Sequence, residues 1–244
     1  LYKMMKEVFK LTDDDFKEYS DDIGFDPVDL SDHPVKLAQE HLDALKAIVG
    51  EEGFSVSDYD RLAVAYGFTA YDILRLRHKI IDSVPDVVLY PDTTEQVEKI
   101  VAYSTEHDIP LYVYGGGSSV TRGVEPVKGG ISLDMRRRFN KVLSFNEIDQ
   151  TITVQAGMSG PDLEKTLQNA PELFGAKRQY TCGHFPQSFE YSSVGGWTVT
   201  RGAGQNSTYY GCIADIVLSQ KYATPIGPIT TSHYPREACG PDLN

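Results

Sequence analysis

Basic residues are scarce in this chain. Among its 244 residues, 23 lysines and arginines stand against 35 aspartates and glutamates, which gives a formal net charge of −12 at pH 7 with histidine neutral. Binding to duplex DNA or polyanionic RNA needs a basic surface that neutralises phosphates. A strongly anionic membrane attracts proteins through the same positive charge. The charge balance therefore argues against a nucleic-acid partner and against tight binding to an anionic membrane.

Cysteine is also rare, and the chain contains no CxxC pair. The three cysteines are Cys182, Cys212 and Cys239. This odd and widely spaced set argues against a disulfide framework and against a zinc site, so we expect no metal and a reducing compartment. No apolar run is long enough to span a bilayer. The first residues lack the apolar core of a signal peptide, so we do not expect secretion.

The first 82 residues combine helical periodicity with an excess of acidic side chains. The stretch "PVKLAQEHLDALKAIVG" predicts a helix that ends at Gly50, and "SVSDYDRLAVAYGF" predicts one that begins at Ser57. A third helix is predicted in "TAYDILRLRHKI". The acidic run 12–32 lacks EF-hand spacing and is interpreted as a solvated linker. We therefore predict a helical N-terminal region over residues 1–82.

From residue 83 the pattern changes to alternating strands and helices. The strand "DVVLYP", the helix "TTEQVEKIVAYSTEHD" and the strand "IPLYVYG" predict a βαβ unit. After it we predict the strand "GGISLDM", the hairpin "KVLSF"/"QTITVQAG", the helix "SGPDLEKTLQNA" and one long strand over "IADIVLSQKYATPIG". The basic run 134–142 is interpreted as a solvated loop, with a partner or phosphate contact as the alternative. Together these elements predict an α+β domain over residues 83–244.

The stretch "VYGGGSSVTRG", residues 113–123, places glycines directly after a predicted strand. It lacks the Lys–Ser/Thr pair of a P-loop and the third glycine of the Rossmann fingerprint. Consecutive glycines can bare their amide groups as an anion nest, and Ser118 and Ser119 add hydroxyl donors. The stretch taken alone is equally typical of a flexible turn.

A second stretch, residues 180–204, is rich in glycine and hydroxyl residues: "YTCGHFPQSFEYSSVGGWTVTRGAG". Such density suits a main chain wrapped around a large polar ligand. "SSVGGWTVTR" predicts a short helix, capped by Ser192 or Ser193, whose N-terminus would face an anion. A long surface loop is the alternative, but the single tryptophan, Trp197, favours a packed segment.

These two stretches, together with "YGCIADIVLSQKYATPIG", resemble the FAD-binding domain of the vanillyl-alcohol-oxidase, or PCMH-type, flavoprotein superfamily. Within it the likeness is greatest to the alkyl-dihydroxyacetonephosphate synthases and their bacterial relatives, which share the Gly-Gly-Gly loop and a Gly-His…Val-Gly-Gly-Trp stretch. The resemblance covers roughly residues 87–244. It implies two α/β subdomains that bind FAD, preceded by a helical region. It also implies that the chain stops before a further FAD-holding segment and a cap domain.

The resemblance assigns site residues position by position. Residues 113–119 would cradle the FAD pyrophosphate, residues 187–193 would run along the cofactor, and residues 200–203 would make a third contact. The implied cofactor-binding residues are Val113, Tyr114, Gly115, Gly116, Gly117, Ser118, Ser119, Gln187, Ser188, Phe189, Glu190, Tyr191, Ser192, Ser193, Thr200, Arg201, Gly202 and Ala203.

His184 is the implied catalytic residue, because it matches the family's histidine beside the flavin. Without the resemblance, the simpler interpretation would be a partly buried histidine whose ring nitrogens are hydrogen-bonded within the protein. Arg201 is interpreted either as a phosphate contact or as a surface arginine. Phe185 departs from the family's acidic residue, which leaves the substrate open. The glycine loop holds no histidine for a covalent flavin link, so we expect non-covalent FAD.

Three functions follow as hypotheses. The first is a synthase-like transferase that exchanges the acyl group of acyl-dihydroxyacetone phosphate for a fatty alcohol in ether-lipid synthesis, without net redox. The second is an FAD-linked oxidoreductase of a 2-hydroxy acid or related alcohol, since fold does not decide function. The third is a non-catalytic fragment that binds FAD or a partner. We expect a small or lipid-like substrate. Peripheral membrane contact, through the part of the protein beyond residue 244, and a homodimer are left open. The expected location is cytoplasmic in a bacterium or peroxisomal in a eukaryote.

Overall fold

The computed structural model describes residues 2–16 and 28–231. The centre of the acidic run, residues 17–27, and the C-terminal residues 232–244 with Cys239 lie outside the described residues. The solvated linker predicted in the acidic run therefore stays a prediction. So does the expectation that the chain stops before a further FAD-holding segment and a cap domain.

Helices form where the sequence supplies caps. In the described residues they are α1 (Tyr2–Phe9), α2 (Gln39–Val49), α3 (Asp58–Ala63), α4 (Ala70–Arg77), α5 (Thr94–Glu106), α6 (Gly160–Gln168), α7 (Ala170–Phe174), α8 (Val194–Thr200), α9 (Ser207–Tyr210) and α10 (Ile213–Ile216). As predicted, Gly50 ends α2 with φ 76°, and the Ser57 hydroxyl accepts a hydrogen bond from the Asp60 amide at the start of α3. None of these helices is long and apolar enough to cross a membrane.

The strands form one four-stranded sheet and two hairpins in the described part of the chain. They are β1 (Phe54–Ser55), β2 (Val87–Leu89), β3 (Leu111–Tyr114), β4 (Ile131–Asp134), β5 (Val142–Asn146), β6 (Thr151–Val154), β7 (Lys221–Thr224) and β8 (Gly227–Thr230). The sheet order is β1-β2-β4-β3, with β2, β4 and β3 parallel. β5 pairs with β6 and β7 with β8, both antiparallel.

The predicted βαβ unit is confirmed, with β4 inserted between its two strands. β2 and β3 both run parallel to β4, and α5 connects them in sequence. The carboxyl ends of β3 and β4 lie together at one edge, because Tyr114 is in register with Asp134. β1, from the region predicted as separate and helical, pairs with β2. The sheet therefore contains strands from both sides of the domain boundary predicted at residue 82. The boundary itself stays a prediction.

The described residues form four hydrophobic clusters, and the two largest are called here the first and the second core. The first packs α2 and α5 on the sheet, around Leu45, Leu89 and Ile100. The second joins α6, α8 and α10 to the β5–β6 hairpin, around Leu163 and Trp197. Buried apolar side chains of this kind supply most of the stabilisation of a domain.

The long strand predicted over residues 213–227 is wrong. Its first part forms α10, and a strand begins only at Lys221. The Asp215 carboxylate accepts a hydrogen bond from the Cys212 amide at 2.8 Å, which starts a helical turn. The apolar residues of this segment fit both the helical and the strand periodicity. The hydrogen bond between Cys212 and Asp215 favours the helix.

Residues 135–141 of the basic run form a loop, as predicted, in which Met135 and Phe139 are buried and Arg138 and Lys141 lie near carboxylates of the chain. Arg138 lies 3.8 Å from Glu52 and 3.9 Å from Asp92. Lys141 pairs with Asp92 at 2.5 Å. The run therefore connects the end of β4 to the turn before β1 and to the loop after β2.

Candidate cofactor-binding site

The first glycine stretch continues from the carboxyl end of β3, the edge strand of the described sheet. Val113 is exposed, Tyr114 is buried, and Gly117 has a left-handed φ of 66°. Within the described residues, the backbone N–H groups of residues 115–119 donate to no acceptor of the protein. A run of unpaired amides at the end of a parallel strand is suited to binding an anion.

The second glycine-rich stretch lies directly on the first. A Cβ added to Gly116 would lie 1.6 Å from the carbonyl oxygen of Tyr191, and one added to Gly115 would lie 2.4 Å from Ser193 Oγ. Glycine is therefore required at residue 116, because another backbone passes there, whereas the close neighbour of Gly115 is the Ser193 side chain. The two stretches predicted to hold one ligand are thus neighbours in space.

The N-terminus of α8 does not face an anion, so that prediction is wrong. The Val194 amide donates to the Met158 carbonyl at 2.9 Å, and the Gly195 amide donates to the Ala156 carbonyl at 2.8 Å. The Gly196 amide donates to the Ser193 hydroxyl at 3.3 Å, so the cap itself is as predicted. Partners from the loop before α6 therefore occupy the amides that a ligand would need.

The segment 187–193 divides into exposed and buried side chains. Gln187, Glu190 and Tyr191 are exposed, whereas Ser192 and Ser193 are buried. The Ser192 hydroxyl donates to the Ser188 carbonyl at 2.8 Å and accepts from the Trp197 indole nitrogen at 2.6 Å. The two buried serines therefore hold the segment in place, and its exposed side chains face outward.

The third predicted segment, residues 200–203, lies at the opposite end of α8 from the glycine loop. Arg201 ends the helix in a left-handed conformation, with φ 51° and ψ 43°, and its side chain is exposed. A helix of seven residues is about 10 Å long. Only an extended ligand can contact both ends of α8.

His184 is enclosed in an aromatic cluster and has 1% of its surface exposed. Its ring packs edge-on against Trp197 at 5.0 Å, and Phe189 stacks on the same tryptophan at 6.2 Å. Neither ring nitrogen has a hydrogen-bond partner in the described part of the chain. Burial lowers the pKa of His184. Buried polar atoms normally have hydrogen-bond partners. The two ring nitrogens of His184 are therefore candidates for hydrogen bonds to a bound ligand.

The lowered pKa of His184 predicts loss of stability in mild acid. Below about pH 6.5 the unfolded chain takes up a proton that the folded chain excludes, so stability falls by up to about 1.4 kcal/mol per pH unit. Urea unfolding between pH 5 and 8 measures this dependence. The His184→Gln variant should flatten the acid side of the curve. Equal curves for wild type and His184→Gln would contradict the expectation.

Gly67 and Phe68, just before α4, also border the glycine loop, and no sequence signal pointed to them. A Cβ on Gly67 would lie 2.7 Å from the Ser119 carbonyl oxygen. The Phe68 ring lies 6.2 Å from that of Tyr191 and is half exposed. The residues around Gly67 and Phe68 show only an ordinary helical pattern in the sequence. The contact with the glycine loop is therefore visible only in the folded chain.

A parallel sheet edge with unpaired amides and a second segment folded against it defines a nucleotide-cofactor-binding domain. Residues 85–232, more than half of the chain, match the family model described as an FAD binding domain. The chain belongs to this family of PCMH-type flavoproteins, and FAD is its cofactor.

Comparison with individual proteins shows similarity to FAD-dependent enzymes. The chain is 32% identical to alkyldihydroxyacetonephosphate synthase of Trypanosoma brucei brucei over 216 residues, which is 86% of this chain and 34% of that protein. It is 28% identical to mitochondrial D-lactate dehydrogenase [cytochrome] 1 of Saccharomyces cerevisiae, over 91% of this chain and 36% of that protein. A solved alkyldihydroxyacetonephosphate synthase superposes with a TM-score of 0.75 at 32% identity, covering 81% of this chain and 35% of the other. The chain therefore spans about a third of the length of these relatives.

Proposed function

We propose that this chain is the FAD-binding part of an alkylglycerone-phosphate synthase, which exchanges the acyl group of acyl-dihydroxyacetone phosphate for a fatty alcohol in ether-lipid synthesis. The similarity to two such synthases, one of them a solved structure, supports this choice. The observation that carries the cofactor site is the row of unpaired amides at residues 115–119 against the segment 187–193.

These amides fit the pyrophosphate of FAD. Unpaired N–H groups of residues 115–119 would donate to its oxygens, and glycine leaves room for the close approach. Residues 187–193 would form the adjoining wall, with Gln187, Glu190 and Tyr191 exposed on it. Residues 200–203 would reach a more distant part of the cofactor, one helix length away. The loop offers serine at residues 118 and 119 and no histidine, which fits non-covalent binding.

His184 is the catalytic residue of this proposal. FAD, when bound, supplies the ring system at which the substrate's bonds are exchanged. His184 is kept neutral by burial, so one ring nitrogen can donate a hydrogen bond while the other accepts one. Its two unpaired nitrogens would hold the reacting groups or the flavin in position, and the surrounding aromatic rings exclude water.

An FAD-linked oxidoreductase acting on a 2-hydroxy acid is the second candidate. The similarity to a D-lactate dehydrogenase extends over 91% of this chain, so the same segment serves both types of enzyme. On this proposal, the residues that separate the two reactions would belong to the two thirds of the relatives that this chain does not match.

Anaerobic spectroscopy of the complete holoprotein separates the two candidates. We expect the yellow absorbance of the flavin to persist through turnover with acyl-dihydroxyacetone phosphate and a fatty alcohol, while fatty acid is released. Bleaching by D-lactate or glycolate, without fatty acid release in the first assay, would replace the synthase by the oxidoreductase. Dithionite gives the fully bleached reference.

We also propose a small-molecule or lipid-like substrate, a cytoplasmic location in a bacterium or a peroxisomal one in a eukaryote, and a homodimer. Cell fractionation tests the location, and light scattering of the complete protein tests the dimer. Recovery in a secreted fraction, or a monomeric mass, would contradict the respective proposal.

A further inference from the structure

Helix α4 buries two of its three charged side chains and exposes its apolar ones. Asp72 has 0% and Arg75 has 2% of its surface exposed, whereas Tyr71, Ile73 and Leu74 are about half exposed. A surface helix normally turns its apolar face inward and its charges outward. The reversed pattern indicates that the charges of α4 have partners inside the domain.

Arg75 is surrounded by carboxylates and aromatic rings. Its Nη1 lies 2.9 Å from Glu125 Oε1 and 3.6 Å from Asp72 Oδ1. Its Nη2 forms a short ion pair with Asp82. The guanidinium also lies 4.4 Å from the centre of the Tyr66 ring, a cation–π distance. One arginine of α4 therefore reaches Glu125, which follows the glycine loop in sequence.

Glu125 holds a second arginine from its own loop. Arg122 donates from Nε and Nη2 to the two carboxylate oxygens of Glu125, at 2.7 Å each. The Glu125 side chain is 2% exposed, and the two arginines lower its pKa. Arg122 has a left-handed φ of 62°, which costs a residue with a Cβ roughly 1–2 kcal/mol. The bidentate pair keeps the loop in this conformation despite that cost.

The same part of the chain touches the loop a second time, through its backbone. A Cβ on Gly67 would lie 3.3 Å from the Gly117 carbonyl oxygen, and one on Gly117 would lie 3.1 Å from the Phe68 ring. The turn before α4 therefore lies against residues 117–119, while Arg75 fixes Glu125 at the far end of the same segment. Both ends of the segment 117–125 are held by residues 67–75.

We propose that the Arg75–Glu125–Arg122 network positions the amides of residues 115–119 to receive the FAD pyrophosphate. Arg75 is a positioning residue that acts through Glu125 and touches no cofactor. This inference rests on the proposed cofactor site. Buried ion pairs add little net stability, but they fix geometry, and losing one partner leaves an unpaired buried charge.

Variants of the network test this role against a purely structural one. Arg75→Lys and Glu125→Gln should each raise the dissociation constant of FAD about tenfold or more, which is about 1.4 kcal/mol. The matched control is Arg61→Lys. Arg61 is also a buried arginine, 3% exposed, but it donates to the carbonyls of Pro85 and His33 and not to the glycine loop. It should lower the melting temperature of the apoprotein and leave FAD affinity within about twofold.

Affinity is measured by flavin fluorescence on reconstituted complete protein, at a temperature where every variant is folded. Should Arg75→Lys fail to fold, Arg122→Lys replaces it, because Arg122 is half exposed and only its forked pair with Glu125 is lost. We expect this variant to weaken FAD binding severalfold. Equal FAD affinity for Arg75→Lys, Glu125→Gln and Arg61→Lys, or no change with Arg122→Lys, would overturn the positioning role.

A separate result would show failure of the cofactor site itself. If disruption of the glycine loop by Gly116→Ala leaves FAD binding intact, the proposed site is wrong, whatever the network variants do. If Gly116→Ala abolishes binding while the network variants bind normally, the site stands and the positioning role fails.

Discussion

The Gly116→Ala variant is expected to lose FAD almost completely, with affinity reduced about 100-fold or more. The added Cβ would lie 1.6 Å from the Tyr191 carbonyl oxygen and 2.6 Å from Ser192 Cα. Neither atom belongs to a flexible side-chain end, so the glycine loop and the segment 187–193 must separate. Several hydrogen bonds to the cofactor, each worth about 1 kcal/mol, would be lost together. Flavin content of the purified complete protein and titration of the apoprotein measure the loss.

Gly123→Ala is the matched control for this prediction. Gly123 belongs to the same loop and has no left-handed φ, and a Cβ added to it would meet no atom closer than 3.9 Å. Its FAD affinity should stay within about twofold of wild type. Wild-type affinity in Gly116→Ala would place the cofactor elsewhere. An equal loss in both variants would show that loop mobility, and not the contact with Tyr191, controls binding.

The second large effect is on stability, through Trp197. Its side chain is 4% exposed and packs with Met158, Leu163 and Leu167 in the second core. Trp197→Ala is expected to lower the free energy of unfolding by about 3–5 kcal/mol. The indole also donates to the Ser192 hydroxyl at 2.6 Å, so the variant loosens the segment that lies on the glycine loop. Urea unfolding measures the change.

Two substitutions on or beside this position separate packing from hydrogen bonding. Trp197→Phe keeps most of the packing and should cost about 1–3 kcal/mol, since the buried Ser192 hydroxyl loses its donor. Val199→Ala, on the same helix but 68% exposed, should change stability by less than about 0.5 kcal/mol. A cost below about 1 kcal/mol for Trp197→Ala would mean that the second core tolerates its loss and does not hold α8 in place.

Much of the fold could be predicted because its signals are local. Gly50, Ser57 and Ser159 terminate or begin helices through contacts with residues three or four positions away, and such pairs are visible in any sequence. One failure has a local cause that the apolar pattern does not show. The segment 213–227 has an apolar pattern that fits a strand, and only the hydrogen bond between Cys212 and Asp215 reveals the helical turn.

The candidate site shows the same division. The glycine and hydroxyl residues of both stretches were found from composition, but the orientation of α8 was predicted wrongly. Its first amides bond to the carbonyls of Ala156 and Met158, which lie almost forty residues earlier in the chain. The inward charges of α4 were missed because a helical pattern does not show which face a neighbouring loop will cover.

By itself, the sequence determined most of the elements, the two glycine-rich stretches and the resemblance to PCMH-type flavoproteins, because caps, periodicity and motifs act over a few residues. Tertiary structure alone decided that Gly116 lies on Tyr191, that the amides of residues 115–119 have no acceptor among the described residues, and that Arg75 reaches Glu125. These are contacts between distant residues. They form only when burial of apolar side chains brings the segments together, and no spacing along the chain specifies them.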